Sequence, residues 1–365
     1  LSFSLQIATI GAMIILDTSE ESLKTAGRAL ASGLLVAIPT ETVYGLGADA
    51  FNPLAVAKVF EAKARPSFDP LIVHIARIED LPRVALRIPP LAERLAEALW
   101  PGPLTLILPK QPAVPDIVTS GLDTVAVRFP SHPVARRIIE YSGTVVAAPS
   151  ANPFGYISPT KAEHVARTLG GKIDYLVDGG ACAVGVESTV IDLTKKMPEL
   201  LRPGGMPLER IRDIVGEIAV PSRSHGNVSG PMASPGQLSS HYAPKSALRL
   251  FEFGGLCEAG IFSFEDGGEE SPPIEESSHA KERHSRAALV FDGQRAAKLR
   301  RSERFDVVFA LSEKGDMTEA AASLFALLHN LDSLKFDWIY AEKVPDEGLG
   351  RAINDRLFRA SKKRG

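Results

Sequence analysis

Cysteine is almost absent from this chain: Cys182 and Cys257 are the two thiols in 365 residues. So few, and so far apart, they give neither a disulfide framework nor a cysteine-based zinc site, and they suit a reducing cytosol. An excess of either charge is lacking as well. Lys plus Arg number 41 against 44 Asp plus Glu, a net of −3, so no overall basic field draws the protein to nucleic acid. Aromatic residues make up 7%, without the stacking signature of a single-strand RNA reader. No run reaches the roughly 18 apolar residues of a membrane span. The N-terminal residues are apolar but have no basic flank and no unbroken hydrophobic stretch, which argues against a signal peptide. What is present, 45% hydrophobic and 23% charged, is an ordinary globular composition, long enough for two domains.

The organising stretch is residues 39–75, PTETVYGLGADAFNPLAVAKVFEAKARPSFDPLIVHI. Apolar runs at 34–38 and 71–75 predict buried strands on either side of it. Between them lie a polar Thr-Glu-Thr turn, a Gly-rich loop and a short helix. Asn52 is placed to cap that helix and Pro53 to open it, with Val56, Val59 and Phe60 as its apolar stripe. It ends in Lys63 and Arg65. Cations at a helix C-terminus ordinarily complement the macrodipole from solvent; beside a hydroxyl cluster they also suit a phosphate-bearing ligand. Gly45-Leu-Gly47-Ala-Asp-Ala50 fits a dinucleotide fingerprint, but Gly45 lies well beyond the strand end and the helix begins only near Pro53. No acidic residue closes the second strand, which carries His74 instead, so a nicotinamide site is rejected.

Helices are predicted over residues 18–33 (a Thr18/Glu21 capping box, Gly33 as stop), 90–100, 133–142, 158–169 (Ser158 as cap, Pro159 first) and 207–215. Strands are predicted at 124–129, 144–149, 175–178, 188–193 and 200–202. Alternation in TVAVRF sets Arg128 on the face opposite Val125, Val127 and Phe129. The strands come in uneven groups, which argues for a mixed α/β sheet. Residues 216–244 are rich in Pro, Ser and Gly and read as a linker. A second α/β unit follows, with strands at 247–253, 287–291, 306–311 and 338–341 and a helix at 318–334. Residues 265–286, charged and Ser-rich, read as a mobile loop. The expected division is 15–216, 217–244 and 245–365.

Four polar clusters are read as following strand ends in the first part: Thr40-Glu41-Thr42, Lys63-Ala-Arg65, Ser150-Ala-Asn152 and Glu187-Ser188-Thr189. Ligands of open α/β sheets gather at strand ends, and Arg128 can fork onto a carboxylate or phosphate. Neither Ser150 nor Ser188 stands in a G-x-S-x-G elbow; each serves equally well as a strand-end cap. A single histidine such as His74 is more often a satisfied core residue than a functional one. From the residues alone this is an α/β enzyme binding phosphate and carboxylate, its substrate open. A concave cationic surface for an RNA backbone and a nucleotide or amino-acid sensor are the competing readings.

Taken together, PTETVYGLGADA, KARPSFDPLIVHI, WPGPLTLIL, GLDTVAVRFP, APSAN, SPT, GVESTVIDL and LLRPGG resemble the YrdC/Sua5 family over about residues 15–216. Lys63-x-Arg65 and Ser150-x-Asn152 are similar to its KxR…SxN signature, and SPGQLSSHYAP with the second α/β unit resembles the longer Sua5 type. The resemblance implies a twisted mixed α/β sheet around a large, positively lined cavity, followed by a smaller Rossmann-like domain. It implies synthesis of L-threonylcarbamoyladenylate and pyrophosphate from L-threonine, bicarbonate or CO2, and ATP with Mg²⁺. The product would feed the machinery that makes threonylcarbamoyl-adenosine in tRNA. Carried over residue by residue, it implies catalytic roles for Lys63, Arg65, Ser150 and Asn152. ATP contacts fall on Lys63, Ser67, Thr124, Ser150, Ser158, Arg202 and Tyr242, and threonine contacts on Thr40, His74, Arg128, Ala148 and Ser188. The linker, with Tyr242 as its anchor, is the expected lid. GQLSS departs there from the family's usual Met and basic or aromatic residues.

Overall fold

The computed structural model describes residues 8–10, 13–221, 232, 240–252 and 284–362. The chain divides into two compact units, Leu1–Ser239 and Ser240–Gly365. In chain order the first holds β1 (Ala8–Ile10), β2 (Met13–Leu16), α1 (Glu20–Ala31), β3 (Val36–Ile38), β4 (Gly45–Asp49), α2 (Pro53–Lys63) and β5 (Ile72–His74). Then come α3 (Pro90–Leu99), β6 (Leu104–Pro109), α4 (Asp116–Thr119), β7 (Thr124–Arg128), α5 (Pro133–Ser142) and β8 (Val146–Ala147). It closes with α6 (Ala162–Leu169), β9 (Tyr175–Val177), β10 (Thr189–Asp192), β11 (Glu199–Arg202) and α7 (Leu208–Val215).

Its strands form one 11-stranded sheet in the order β1-β2-β9-β3-β4-β8-β5-β7-β6-β10-β11. Parallel pairs such as β5/β7 and β6/β10 alternate with antiparallel ones such as β4/β8 and β6/β7, the mixed sheet that the uneven strand grouping predicted. Period-2 alternation sorts the central strands. Leu71, Val73 and Ile75 around β5, Leu104, Leu106 and Leu108 of β6, and Val125 and Val127 of β7 enter the main core. Ile72, Ile107, Ala126 and Val190 form a small separate cluster from the opposite side chains. Arg128 lies on that second face, as the TVAVRF pattern required.

Local signals were partly overridden. The expected Gly-rich loop is strand β4. A Cβ on Gly47 would stand 3.0 Å from Val146 Cγ1 and 3.2 Å from Val36 O, and one on Gly45 3.2 Å from Ala148 Cβ. Glycine is there because neighbouring strands close in on both sides, not to form a flexible loop. Helix α2 follows expectation: Asn52 Oδ1 accepts from Leu54 N and Ala55 N, Pro53 opens it, and Ala64 closes it in the left-handed region. In α1 the cap is Ser19 rather than Thr18. Helix α6 starts at Ala162, not at Ser158, whose hydroxyl donates to Glu187 instead of capping a helix.

The second unit holds β12 (Ala247–Phe251), β13 (Arg286–Asp292), α8 (Gly293–Arg301), β14 (Val307–Ser312), α9 (Met317–Ser333), β15 (Trp338–Glu342) and α10 (Gly350–Ala360). Its four strands are all parallel, in the order β12-β15-β13-β14, a Rossmann-like arrangement. Asp292 and Asp316 cap α8 and α9, and Leu324, Leu328 and Leu331 bury one face of α9. Within this unit Tyr242 is buried, 5.6 Å from the Phe325 ring and under the Arg356 guanidinium at 5.1 Å. Most of the linker expected to act as a lid, 222–231 and 233–239, lies outside the described residues, as does the expected loop at 265–283. No described helix is long and apolar enough to cross a membrane.

Candidate active site

Strand register assembles a polar row. His74 of β5 stands opposite Arg128 of β7, Arg128 opposite Thr105 of β6, Thr105 opposite Val190 of β10, and Val190 opposite Arg202 of β11. Registered partners share a face, so His74, Arg128, Thr105 and Arg202 line one side of the sheet beside the small apolar cluster. Ser188, just before β10, links the row. Its hydroxyl lies 2.7 Å from Thr105 Oγ1, and Arg202 donates to Ser188 O from Nε at 3.1 Å and from Nη2 at 3.0 Å. Arg128 Nη2 is 2.7 Å from Glu41 Oε1, with both side chains buried. Burial alone would raise the Glu41 carboxyl; the charge and hydrogen bond of Arg128 reverse this and hold it below its ordinary value.

The second group surrounds the end of α2. Lys63 and Arg65 are 1% and 8% exposed, which overturns the solvated-end reading. Lys63 Nζ donates to the carbonyls of Ser150 and Asn152, at 2.5 Å each. The Ser-x-Asn segment therefore meets the lysine through its backbone, while Asn152 Nδ2 donates to Pro153 O and Tyr156 O at 2.9 Å and sets the shape of that loop. Burial and the neighbouring Arg65 charge push the Lys63 ammonium well below its ordinary value. Arg65 Nη2 lies 2.9 Å from Asp69 Oδ1. The Arg202 charge acts on Asp69 too. Ser158 Oγ donates to Glu187 Oε1 at 2.5 Å. A Cβ on Gly204 would fall 2.3 Å from Glu187 O, so glycine there lets the chain close against the segment that carries Glu187 and Ser188.

Thr40 is buried, but its hydroxyl donates to Val43 O at 2.6 Å and accepts from Thr42 N and Val43 N at 3.2 Å, folding its own turn. Ala148 N donates to Ile72 O at 2.9 Å. Thr124 shares a face with Arg128 at the far end of β7, about 13 Å away along the strand. Ser67 is exposed on the loop after α2. Tyr242 belongs to the second unit. Residues that the sequence reading left without a role are Asp69, Thr105, Glu41 and Glu187. The last two already stood in quoted clusters, where a carboxylate beside hydroxyls was the available signal.

Burial with the adjacent Arg128 charge pushes His74 down to about 3, and burial with Arg167 and Lys161 pushes His164 down to about 4. Both stay neutral in the folded protein near pH 5, whereas the unfolded chain takes up protons below about 6.5. Stability is thus fully present above that value and falls as pH drops toward the folded-state values, by about 1.4 kcal/mol per unit for each histidine. Urea unfolding of His164→Gln, followed from pH 7 to 4.5, is expected to show a shallower acid loss than the parent; equal slopes would remove His164 from this account. Burial pushes the Cys182 thiol up to about 12, which leaves it no part as a nucleophile.

Residues 28–204 match the Sua5/YciO/YrdC family, described as telomere recombination, and residues 206–362 match the threonylcarbamoyl-AMP synthase C-terminal domain. Over 342 residues the chain is 44% identical to the threonylcarbamoyl-AMP synthase of Pyrococcus abyssi, covering 94% of both. Over 352 residues it is 42% identical to that of Bacillus subtilis, covering 95% of this chain and 94% of that one. The crystal structure of P. abyssi Sua5 complexed with L-threonine superposes with a TM-score of 0.78 at 39% identity, covering 97% of this chain and 98% of that one. The mixed sheet with its buried cation pair is thus a YrdC-type domain. The chain as a whole belongs to the YrdC/Sua5 family, in its two-domain Sua5 form.

Proposed function

We propose that this chain is an L-threonylcarbamoyladenylate synthase. The observation that carries the reading is the buried cation pair Lys63/Arg65 at the end of α2, in the same unit as a polar row that holds a buried arginine, Arg128. One group suits a triphosphate and the other a carboxylate. The relatives named threonylcarbamoyl-AMP synthase and the threonine complex of the P. abyssi protein support the same substrates. The threonine amine first adds to CO2, losing a proton and giving a carbamate. A carbamate oxygen then attacks the α-phosphorus of ATP, and the bond to the leaving pyrophosphate breaks. Arg128 holds the threonine carboxylate, with Ser188 and neutral His74 beside it. Lys63, Arg65 and Arg202 offset phosphate charge, with Ser150, Asn152 and Ser158 shaping the wall. Thr40 folds the turn that presents Glu41. Positioning and fixed charge do the catalysis.

Mg²⁺ fits this site as a companion of the triphosphate. The nearby carboxylates Asp69 and Glu187 are bonded to Arg65 and Ser158, so phosphate oxygens would be its ligands, and when bound it would supply charge neutralisation. A cytosolic location, upstream of the enzymes that transfer the threonylcarbamoyl group to tRNA, goes with this reading. Incubation with ATP, threonine, bicarbonate and Mg²⁺ is expected to give the adenylate by mass analysis, with pyrophosphate released only when threonine is present. Threonine-independent behaviour would favour a sensor, and a steep salt dependence of RNA binding an RNA module.

A further inference from the structure

The loop after α2 buries a carboxylate among the cations assigned to phosphate. Asp69 is fully buried, and its Oδ1 lies 2.9 Å from Arg65 Nη2. The same guanidinium donates from Nε to Asp69 O at 3.0 Å and from Nη2 to Pro70 O at 2.9 Å. Arg65 is therefore held by one side chain and two backbone carbonyls of the loop it leads into. Lys63 is held separately, by the carbonyls of Ser150 and Asn152. Burial raises the Asp69 carboxyl, and the charges of Arg65, Lys63 and Arg202, in that order, oppose the rise. One carboxylate thus stands within the field of three buried cations.

We infer that Asp69 is a positioning residue that tunes the grip of this site on phosphate. It fixes the Arg65 guanidinium and cancels part of the positive charge that a triphosphate meets. The inference rests on the reading of the site as one that binds ATP. A site with several buried cations and no internal anion would hold pyrophosphate as firmly as ATP, and release of that product would limit turnover. Asp69 competes for the same cations and weakens the hold on both. Two backbone acceptors keep Arg65 in place when the carboxylate charge is removed, so charge and position can be separated by substitution.

Asp69→Asn keeps an acceptor toward Arg65 and removes the charge. Calorimetric titration of the full chain with ATP and, separately, with inorganic pyrophosphate is expected to show both bound at least about tenfold more tightly than by the parent, a change expected for one charge within a few ångströms at a partly buried site. In turnover, KM for ATP and kcat are expected to fall together. Asp69→Glu, which retains the charge, is expected to stay near the parent affinities. Where Asp69→Asn does not fold, Asp69→Ser removes the same charge with a smaller acceptor, and the same tightening is expected. A purely structural role predicts the opposite pattern: a lowered Tm with affinities unchanged or weaker, and that result overturns the inference. The parent's own adenylate synthesis is a separate readout. If the parent makes the adenylate while the charge-removing variants bind no more tightly, this inference fails alone; if the parent binds neither anion, both readings fail.

Discussion

Lys63→Ala is expected to reduce adenylate formation by at least about a hundredfold, the scale of removing one preorganised donor to developing charge, and to lower Tm measurably as well. The lysine is not a removable surface cation. Its Nζ is shared by two carbonyls, Ser150 O and Asn152 O; alanine takes this donor from Asn152 O, while Ser150 O keeps the Asn152 N–H at 3.0 Å. An orphaned buried acceptor costs roughly 1–3 kcal/mol, partly offset by relief from burying a charged amine. A net loss of one or two kcal/mol lowers Tm by several degrees in a unit of this length. Lys63→Arg is the informative control, since it restores charge but cannot reproduce a compact ammonium between two carbonyls. It is expected to recover part of the ATP affinity and little of the rate. Thermal melts and product mass analysis on the three proteins decide the matter: near-parent turnover in Lys63→Ala would remove the residue from the phosphate site.

Much of this arrangement was legible because it is local. Asn52 and Pro53 announce α2, and alternation in TVAVRF puts Arg128 on its proper face. Lys63 and Arg65 were visible as a pair, but their burial was not. Nothing in a helix-end Lys-Ala-Arg distinguishes a solvated terminus from one enclosed by a loop that returns from residues 150–152. The misreadings share one cause, a distant partner outweighing a local rule. Ser158 before Pro159 reads as a helix cap, yet its hydroxyl goes to Glu187. Gly45 and Gly47 read as a loop, yet they sit where β3 and β8 crowd β4 from either side. Thr105 lies in an apolar run and shows its role only when β6 pairs with β7 and brings it opposite Arg128. Asp69 received no role from the sequence, and its ion pair with Arg65, four residues earlier, shows only once the loop after α2 has folded back.

Arg128 allows stability and substrate recognition to be pulled apart. Its guanidinium is buried against Glu41 at 2.7 Å and stands in register with His74 and Thr105. Removing one partner of such a pair leaves a buried charge uncompensated, at a cost of about 3–5 kcal/mol. Arg128→Met is therefore expected to lower Tm strongly and to raise KM for threonine by at least about a hundredfold, the worth of a lost charge-assisted fork. The Glu41 carboxyl, now held down by Arg128, would rise in that variant as burial takes over, so the stability deficit should shrink as pH falls and the carboxyl is neutralised. Glu41→Gln added to Arg128→Met removes the orphaned charge and is expected to restore at least half of the lost Tm, because a neutral buried pair can match an ionic one. It supplies nothing to hold a substrate carboxylate, so the threonine KM should stay where the single variant left it. Melting curves and threonine titrations on the two single variants and the double variant test both halves at once. Recovery of threonine binding together with stability would mean that Arg128 acts only as scaffold, and that the carboxylate is held by another group.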